Sequence, residues 1–395
     1  MRLLHGFSGW LWKSGIALLV WNLSFVPLQA QPAQQGEIEE LKKRLEQLEQ
    51  APEGSAFSLL KSIEVSGFVD TSFNYNFNEP KAPRENRLRV FDRPANTFSV
   101  NRVEIALEKK ASDPGMAGFR VDFDAGRDVP FFRAAGFEAG NFDIQQAFVT
   151  YKAPLGEGLT LTFGKFVSLM GSEMIESPDN FNFSRSFLFG FAQPFTHTGL
   201  LLSYPVAKMV DLTLGVVNGW DNIDDNNDSK TLVGRAMFNV ADTFTFAVAG
   251  IYGAEQTDRE SPKRWVLDLM GMLMPFPHLH LTFNYDYGRE DEAVTIDDRF
   301  KDALWQGISL IVHYDLTQQF GLSLRGEFFN DEDGARTGTA QDLWEITLTA
   351  AYKWFKGFET RLEYRHDRSN VASFDRDGRP TKTQDTIATE VLFRF

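Results

Sequence analysis

The sequence predicts an all-β fold: a transmembrane, antiparallel, up-and-down β-barrel of sixteen strands with a short N-terminal helical extension. Three observations carry this expectation. Sixteen runs alternate apolar and polar residues from residue 62 to the last residue. Their connections alternate strictly between short and long. No stretch after the first thirty residues offers the ~18 consecutive apolar residues that a membrane helix requires, so any crossing must be made by strands, which need only about 9–11 residues each.

Residues 1–30, "MRLLHGFSGWLWKSGIALLVWNLSFVPLQA", read as a secretory signal peptide. Arg2 and Lys13 precede an apolar run from Gly15 to Val26, and Pro27 and Ala30 close it. Cleavage would remove those two positive charges and lower the net charge from −14 to −16. So acidic a chain is not expected to bind nucleic acid. The absence of cysteine suits a chain that crosses an oxidising compartment before it folds. Residues 31–58 follow as a periplasmic helical segment and linker. Ile38, Leu41, Leu45 and Leu48 stand at a and d of two heptads, and Pro52 and Gly54 end the helix. Two heptads are marginal alone, so this segment serves as a spacer or as an aid to an oligomer held elsewhere.

Residues 59–395 form the barrel. In "SIEVSGFVDTSFNYNFN", Ile63, Val65, Val69, Phe73, Tyr75 and Phe77 share one face, while Glu64, Ser66, Asp70, Ser72, Asn74 and Asn76 share the other. The later runs repeat the pattern, among them "RVEIALEKK", "FRVDFDAG", "LTLTFGKF", "RWVLDLMGML", "FGLSLRGEFF" and "FETRLEYRHD". The short connections are "ASDPGM", "APLGEG", "PVAKMVD", "VAD", "PFPH", "DLTQ" and "FKG". Between them lie long polar stretches at 79–95, 127–140, 168–195, 219–230, 253–263, 288–302, 330–341 and 366–384. A soluble sandwich has no reason to alternate its connections in this way; an outer-membrane barrel has short periplasmic turns and long outer loops. Tyr151, Tyr204, Tyr314, Trp354 and Phe395 would form one aromatic girdle, and Tyr252, Trp265, Tyr287, Trp344 and Tyr364 the other.

The polar faces then line a lumen. Arg120, Asp122 and Asp124 alternate with apolar neighbours, as do Glu359, Arg361, Glu363 and Arg365. Arg235, Asp268, Arg325 and Glu327 also fall on inward positions. Mixed signs on facing walls produce a transverse field that favours polar solutes. The lumen and its loops together lean acidic, which implies a mild preference for cations.

The third long connection contains "SPDNFNFSRSFLFGFAQPFTHTG", with six Phe residues and few charges. So apolar a segment should not stand free in water, and a barrel of this strand number has a lumen able to receive it. It is expected to fold inward as a pore constriction, its Phe residues packed and Glu173, Glu176, Asp179 and Arg185 facing the channel.

"GSEMIESPDNFNFSRSFLFGFAQPFTHTG", "VVNGWDNIDDNNDSKTL" and "GKFVSLMGSE" resemble the β-barrel porin family 2, the OmpL-like group of Gram-negative bacteria. The resemblance spans about residues 60–395 and is strongest over 141–232. It implies a channel in the cell outer membrane and supplies no substrate and no catalytic residue. The last strand, "TEVLFRF", resembles the terminal signature, closed by Phe395, that the outer-membrane assembly machinery recognises.

Other constellations have plainer readings. Glu173 and Glu176 could mimic an acid–base pair, but a water-filled lumen does not raise one pKa as such a pair requires. Ser184 or Ser186 with His197 would need triad geometry to make a hydrolase. Asp221, Asp224, Asp225, Asn226, Asn227 and Asp228 are oxygen donors without the spacing of a calcium loop, and fit a solvated loop facing lipopolysaccharide. His278 and His280 lack the further ligands of a zinc site. The expected protein is therefore a non-enzymatic, cofactor-free porin. It would form homotrimers in the outer membrane and pass ions and small hydrophilic solutes; the alternative is a structural or adhesion barrel plugged by its own loop.

Overall fold

The computed structural model describes residues 61–395 except 82, 138 and 297, together with Glu39, Glu40 and Lys43. The chain divides into two units, 1–61 and 62–395. In the first, Glu39, Glu40 and Lys43 are helical and exposed. The signal peptide and most of the helical segment lie outside the described residues.

The second unit is a closed barrel of sixteen antiparallel strands. Its first half comprises β1 (Glu64–Asn76), β2 (Thr97–Lys109), β3 (Ala117–Ala125), β4 (Phe142–Ala153), β5 (Leu159–Val167), β6 (Thr196–Ala207), β7 (Val210–Val217) and β8 (Thr231–Ala241). The wall continues with β9 (Phe244–Gly253), β10 (Arg264–Phe276), β11 (Leu279–Ile296), β12 (Arg299–Asp315), β13 (Phe320–Asp331), β14 (Gln341–Phe355) and β15 (Phe358–Ser369). A small hairpin, β16 (Phe374–Arg376) with β17 (Arg379–Thr381), decorates the last long loop before β18 (Thr383–Arg394) closes the wall between β15 and β1. All sixteen alternating runs of the sequence are strands of this barrel.

Burial is inverted relative to a soluble protein. Asp70, Asp122, Arg325 and Arg365 are almost wholly buried, whereas Phe98 is 81% and Phe163 64% exposed. Period-2 alternation puts one side chain of each pair inside and the next outside; when the outside is hydrocarbon, the apolar set belongs there. Closure leaves no strand edge with unpaired backbone groups, as a bilayer demands. Among the described residues no helix is long and apolar enough to cross a membrane.

One expected loop is a strand. Over 288–302 the polar composition suggested an irregular connection, but β11 and β12 run on to Ile296 and from Arg299, with Val294 opposite Lys301 and Thr295 opposite Phe300. The charges that suggested a loop are matched across the ladder instead. Arg264 pairs with Glu290 at 2.7 Å and Arg289 with Asp302 at 2.6 Å. Opposite charges on neighbouring strands support pairing.

The closing seam depends on one glycine. Phe395 exchanges two backbone hydrogen bonds with Gly67, at 3.0 and 3.2 Å. A Cβ on Gly67 would lie 2.2 Å from the Glu104 carbonyl oxygen and 2.8 Å from the Phe395 ring. Gly67→Val should therefore abolish the compact, heat-modifiable form on electrophoresis. Gly326→Val should retain it, because a Cβ there meets nothing within 4 Å.

Candidate functional site: loop 3 and the lumen wall

Loop 3, residues 168–195, joins neighbouring strands β5 and β6 yet crosses to the far wall. Gly171 takes φ +88° near its start, and a π-helical turn, Leu188–Ala192, lies near its end. The fastenings are mostly backbone groups of the loop bound to wall side chains. Glu363 on β15 accepts the N–H groups of Phe183 (2.7 Å) and Ser184 (3.0 Å). Glu327 on β13 accepts those of Phe187 (2.7 Å) and Leu188 (2.5 Å). Arg325 donates to the Ser184 carbonyl at 2.6 Å, and Arg365 donates to that of Arg185 at 2.5 Å. Ser177 donates to Asp70 on β1 at 2.6 Å, and the Trp305 indole on β12 donates to the Ala192 carbonyl at 3.1 Å.

Apolar packing seats the same segment. Phe187, Leu188 and Ala192 pack in one cluster with inward residues of the wall, including Leu201, Val217, Val233, Ile251, Val266, Trp305 and Phe329. Phe189 and Phe195 form a second cluster with Phe91, Phe132 and Ile175. The loop thus buries Phe183, Phe187, Phe189 and Phe195 inside the barrel, where hydrophobic burial favours them, while carboxylates and guanidinium groups satisfy its backbone.

The four loop residues singled out from the sequence part company here. Asp179 is partly exposed and pairs with Arg394 at 2.5 Å. Glu176 accepts from Gln145 at 2.6 Å. Glu173 is buried, pairs with Arg325 at 2.8 Å and accepts the Ser186 N–H. Arg185 turns into its own loop, donating to the carbonyls of Met174, Ile175 and Phe183, with its guanidinium 4.9 Å from the centre of the Phe91 ring. Glu173 and Arg185 are therefore occupied in holding the loop together instead of standing free in the channel.

Wall residues form matched sets. Arg120 contacts Asp122 at 2.9 Å and Glu108 at 3.5 Å, and Asp124 lies 3.2 Å from Arg102. Arg361 lies between Glu359 and Glu390, at 2.6 and 3.1 Å. Arg365 pairs with Asp367 and Arg325 with Glu345, both at 2.7 Å. Asp268 accepts from Asn284 at 2.7 Å, and Arg235 is half-buried on the inner face of β8. Glu345, Glu390 and Asp367 are not among the residues the sequence singles out, although their inward parity on β14, β18 and β15 is the signal that could have found them.

Cavities lie on both sides of loop 3. An outer one of about 750 Å³ is lined by Arg87, Arg93, Phe191, Gln341 and Phe374, and an inner one of about 550 Å³ by Pro178, Gln318, Lys353, Glu359 and Arg394. Ser184 is held by Arg325 (3.1 Å) and Arg365 (3.3 Å), and the His197 ring nitrogen faces the Gly219 carbonyl. Both have partners other than each other. His280 lies near His313 and Phe181.

The acidic loop 221–228 is bound to its neighbours: Asn226 donates to the Glu255 carbonyl at 3.2 Å and Asn227 to that of Ala254 at 3.1 Å. Asp221 accepts the N–H groups of Phe195 (2.7 Å) and Thr196 (2.8 Å), tying it to the end of loop 3. Burial pushes the Asp221 carboxyl from an ordinary 3.8 up to about 6, against the pull of those two N–H donors. A carboxyl raised on folding contributes most below its unfolded value and loses that contribution as pH rises through about 6. Amide-exchange protection at Phe195 and Thr196 should accordingly be higher at pH 4 than at pH 8. The opposite order would mean that the N–H donors outweigh burial.

Comparisons with known proteins agree with this architecture. The family described as "Putative beta-barrel porin-2, OmpL-like" matches residues 62–395. No curated protein matches. Among solved structures, the anion-selective porin from Comamonas acidovorans shares 12% identity at a TM-score of 0.57, covering 85% of this chain and 99% of that one. The high-pH structure of Pseudomonas putida OprB shares 10% identity at 0.59, covering 85% and 95%. Outer-membrane expressed OmpT of Vibrio cholerae shares 10% at 0.56, covering 84% and 97%. At such identities the likeness concerns the fold. With the family match spanning the whole barrel, the chain belongs to the β-barrel porin-2, OmpL-like family and is a sixteen-stranded porin-like barrel of the outer membrane.

Proposed function

We propose that this barrel is a passive porin, admitting ions and small hydrophilic solutes through a lumen narrowed by loop 3. The observation that carries the reading is the fastening of loop 3 to Glu327, Glu363, Arg325 and Arg365 on the far wall, between the outer and inner cavities. Glu176 and Asp179, with the half-buried wall residues Arg120, Arg235 and Glu359, are the charges a solute would meet. Basic residues of the wall are largely paired, and acidic residues outnumber basic ones in the chain, 54 to 40, so the preference is for cations. The test is single-channel current of the refolded protein in a planar bilayer under a salt gradient. Stepwise currents with a cation-selective reversal potential support the reading; an anion-selective potential overturns the charge argument.

A second reading, a barrel closed by its own loop, is favoured by the apolar cluster that joins loop 3 to Trp305, Phe329, Leu343 and Phe374. Silence from well-folded protein would establish it. Assembly as a homotrimer is part of the proposal. The wall is low over β3, β5 and β7, of 9, 9 and 8 residues, and tall over β11 and β12, of 18 and 17. A low side is best covered by a neighbouring copy, which the native mass in detergent would reveal. Lipopolysaccharide would contact the outer loops, and Phe395 would be read during assembly.

A further inference from the structure

One group on the inner wall is not explained by the fastening of loop 3. Asp268 on β10 and Asp286 on β11 stand directly opposite each other in the ladder, a position that sets Cβ atoms about 4.5–5.5 Å apart. Their carboxyl groups are close enough for the charge of one to bear on the other. Both side chains are fully buried. Asp268 Oδ2 accepts from Asn284, but Asp268 Oδ1 and both oxygens of Asp286 have no hydrogen-bond partner among the described residues. Arg235 supplies positive charge near Asp268 without bonding to it, and Glu327 adds negative charge near Asp286.

Two neutral oxygens are unpartnered in the same neighbourhood. Ser309 Oγ, 4% exposed, sits on β12 opposite Asn284, one inward position from Asp286 across the ladder. Gln193 Oε1, 2% exposed, belongs to a side chain packed on Gly171, where a Cβ would lie 2.0 Å from the amide nitrogen. The N–H of the residue after Gly171, Ser172, donates to Asn284 at 2.9 Å, the same side chain that donates to Asp268. The pair thus lies beside the point where the first turn of loop 3 meets β11.

We propose that Asp268 and Asp286 hold a calcium-like divalent cation, with the hydroxyl of Ser309 and the amide oxygen of Gln193 completing an oxygen shell. Two facing carboxylates out of water repel each other and must be neutralised. A divalent ion cancels their combined charge, and an all-oxygen donor set is the chemistry that hard cations select. Among the described residues no three acidic or histidine side chains converge on one point, so neutral oxygens must supply the remainder of the shell. The ion would pin the first turn of loop 3 to β10 and β11, at a point separate from its fastening to Glu363.

The experiment uses the full chain refolded from urea into detergent without lipopolysaccharide. It is stripped with chelator, dialysed to equilibrium against calcium chloride, and its metal content measured. About one calcium per chain is expected. Asp268→Asn/Asp286→Asn, whose amides can hydrogen-bond to each other and keep the fold, should lose it. Replacing Asp224, Asp225 and Asp228 by Asn in the outer loop should not. A thermal midpoint that rises with calcium in the native chain but not in the double variant would support the same site without relying on stoichiometry. No uptake by the native chain, as a shared proton would give, overturns the proposal, and so does uptake unaffected by the double variant. None of these outcomes depends on whether the barrel conducts.

Discussion

Replacing Glu327 and Glu363 together by glutamine is expected to raise the unit conductance severalfold and to make it noisy. Each carboxylate accepts two loop N–H groups. An amide keeps one acceptor and turns a donor against the second N–H. Hydrogen bonds to charged groups contribute about 1.5–3 kcal/mol each, so the two substitutions remove roughly 3–6 kcal/mol of anchoring. The barrel itself should persist, because its ladders and the packing of Phe187 and Leu188 are untouched. Single-channel recording of the heat-modifiable variant decides the matter. Conductance equal to that of the native chain would mean that loop 3 does not limit the current.

Arg325→Met should produce the largest loss of stability of any single wall substitution proposed for this chain. The guanidinium is fully buried and bonds Glu345 at 2.7 Å, Glu173 at 2.8 Å and the Ser184 carbonyl at 2.6 Å. Removing it leaves buried Glu173 without its cation and Glu345 with only the more distant Arg365, at 3.6 Å, and breaking a buried pair in this way costs about 3–5 kcal/mol. Arg325→Lys should recover only part, since one ammonium cannot reproduce a planar fork with several partners. Adding Glu173→Gln and Glu345→Gln to Arg325→Met should restore much of the loss, because the unpaired charges disappear with it. The midpoint of thermal unfolding in detergent measures all three. An Arg325→Met variant as stable as the native chain would show that the carboxylates find compensation elsewhere.

What the sequence discloses and what it conceals differ in kind. The alternation in "FETRLEYRHD" assigns Glu363 and Arg365 to the same face, and the ladder places both inside. The same rule failed over 288–302, because charge was taken as a sign of loop where cross-strand partners such as Asp302 neutralise it. In loop 3 the density of Phe indicated an inward fold, but not which charges would remain free. Arg185 and Glu173 look alike as candidates in the sequence, as do Glu176 and Asp179; only packing separates them.

The sequence by itself determined the barrel, its strand number and the inner or outer position of most wall residues. These follow from a local period of two and from whether the face meets hydrocarbon or water, both written in adjacent residues. The tertiary structure alone decided how the lumen is furnished. Phe187 bonds Glu327 across 140 positions and Phe183 bonds Glu363 across 180, and the loop partners are backbone N–H groups that every residue but proline carries. No side-chain pattern marks such a donor. Its partner is fixed by where the folded loop comes to rest, not by the identity of the residue that carries it.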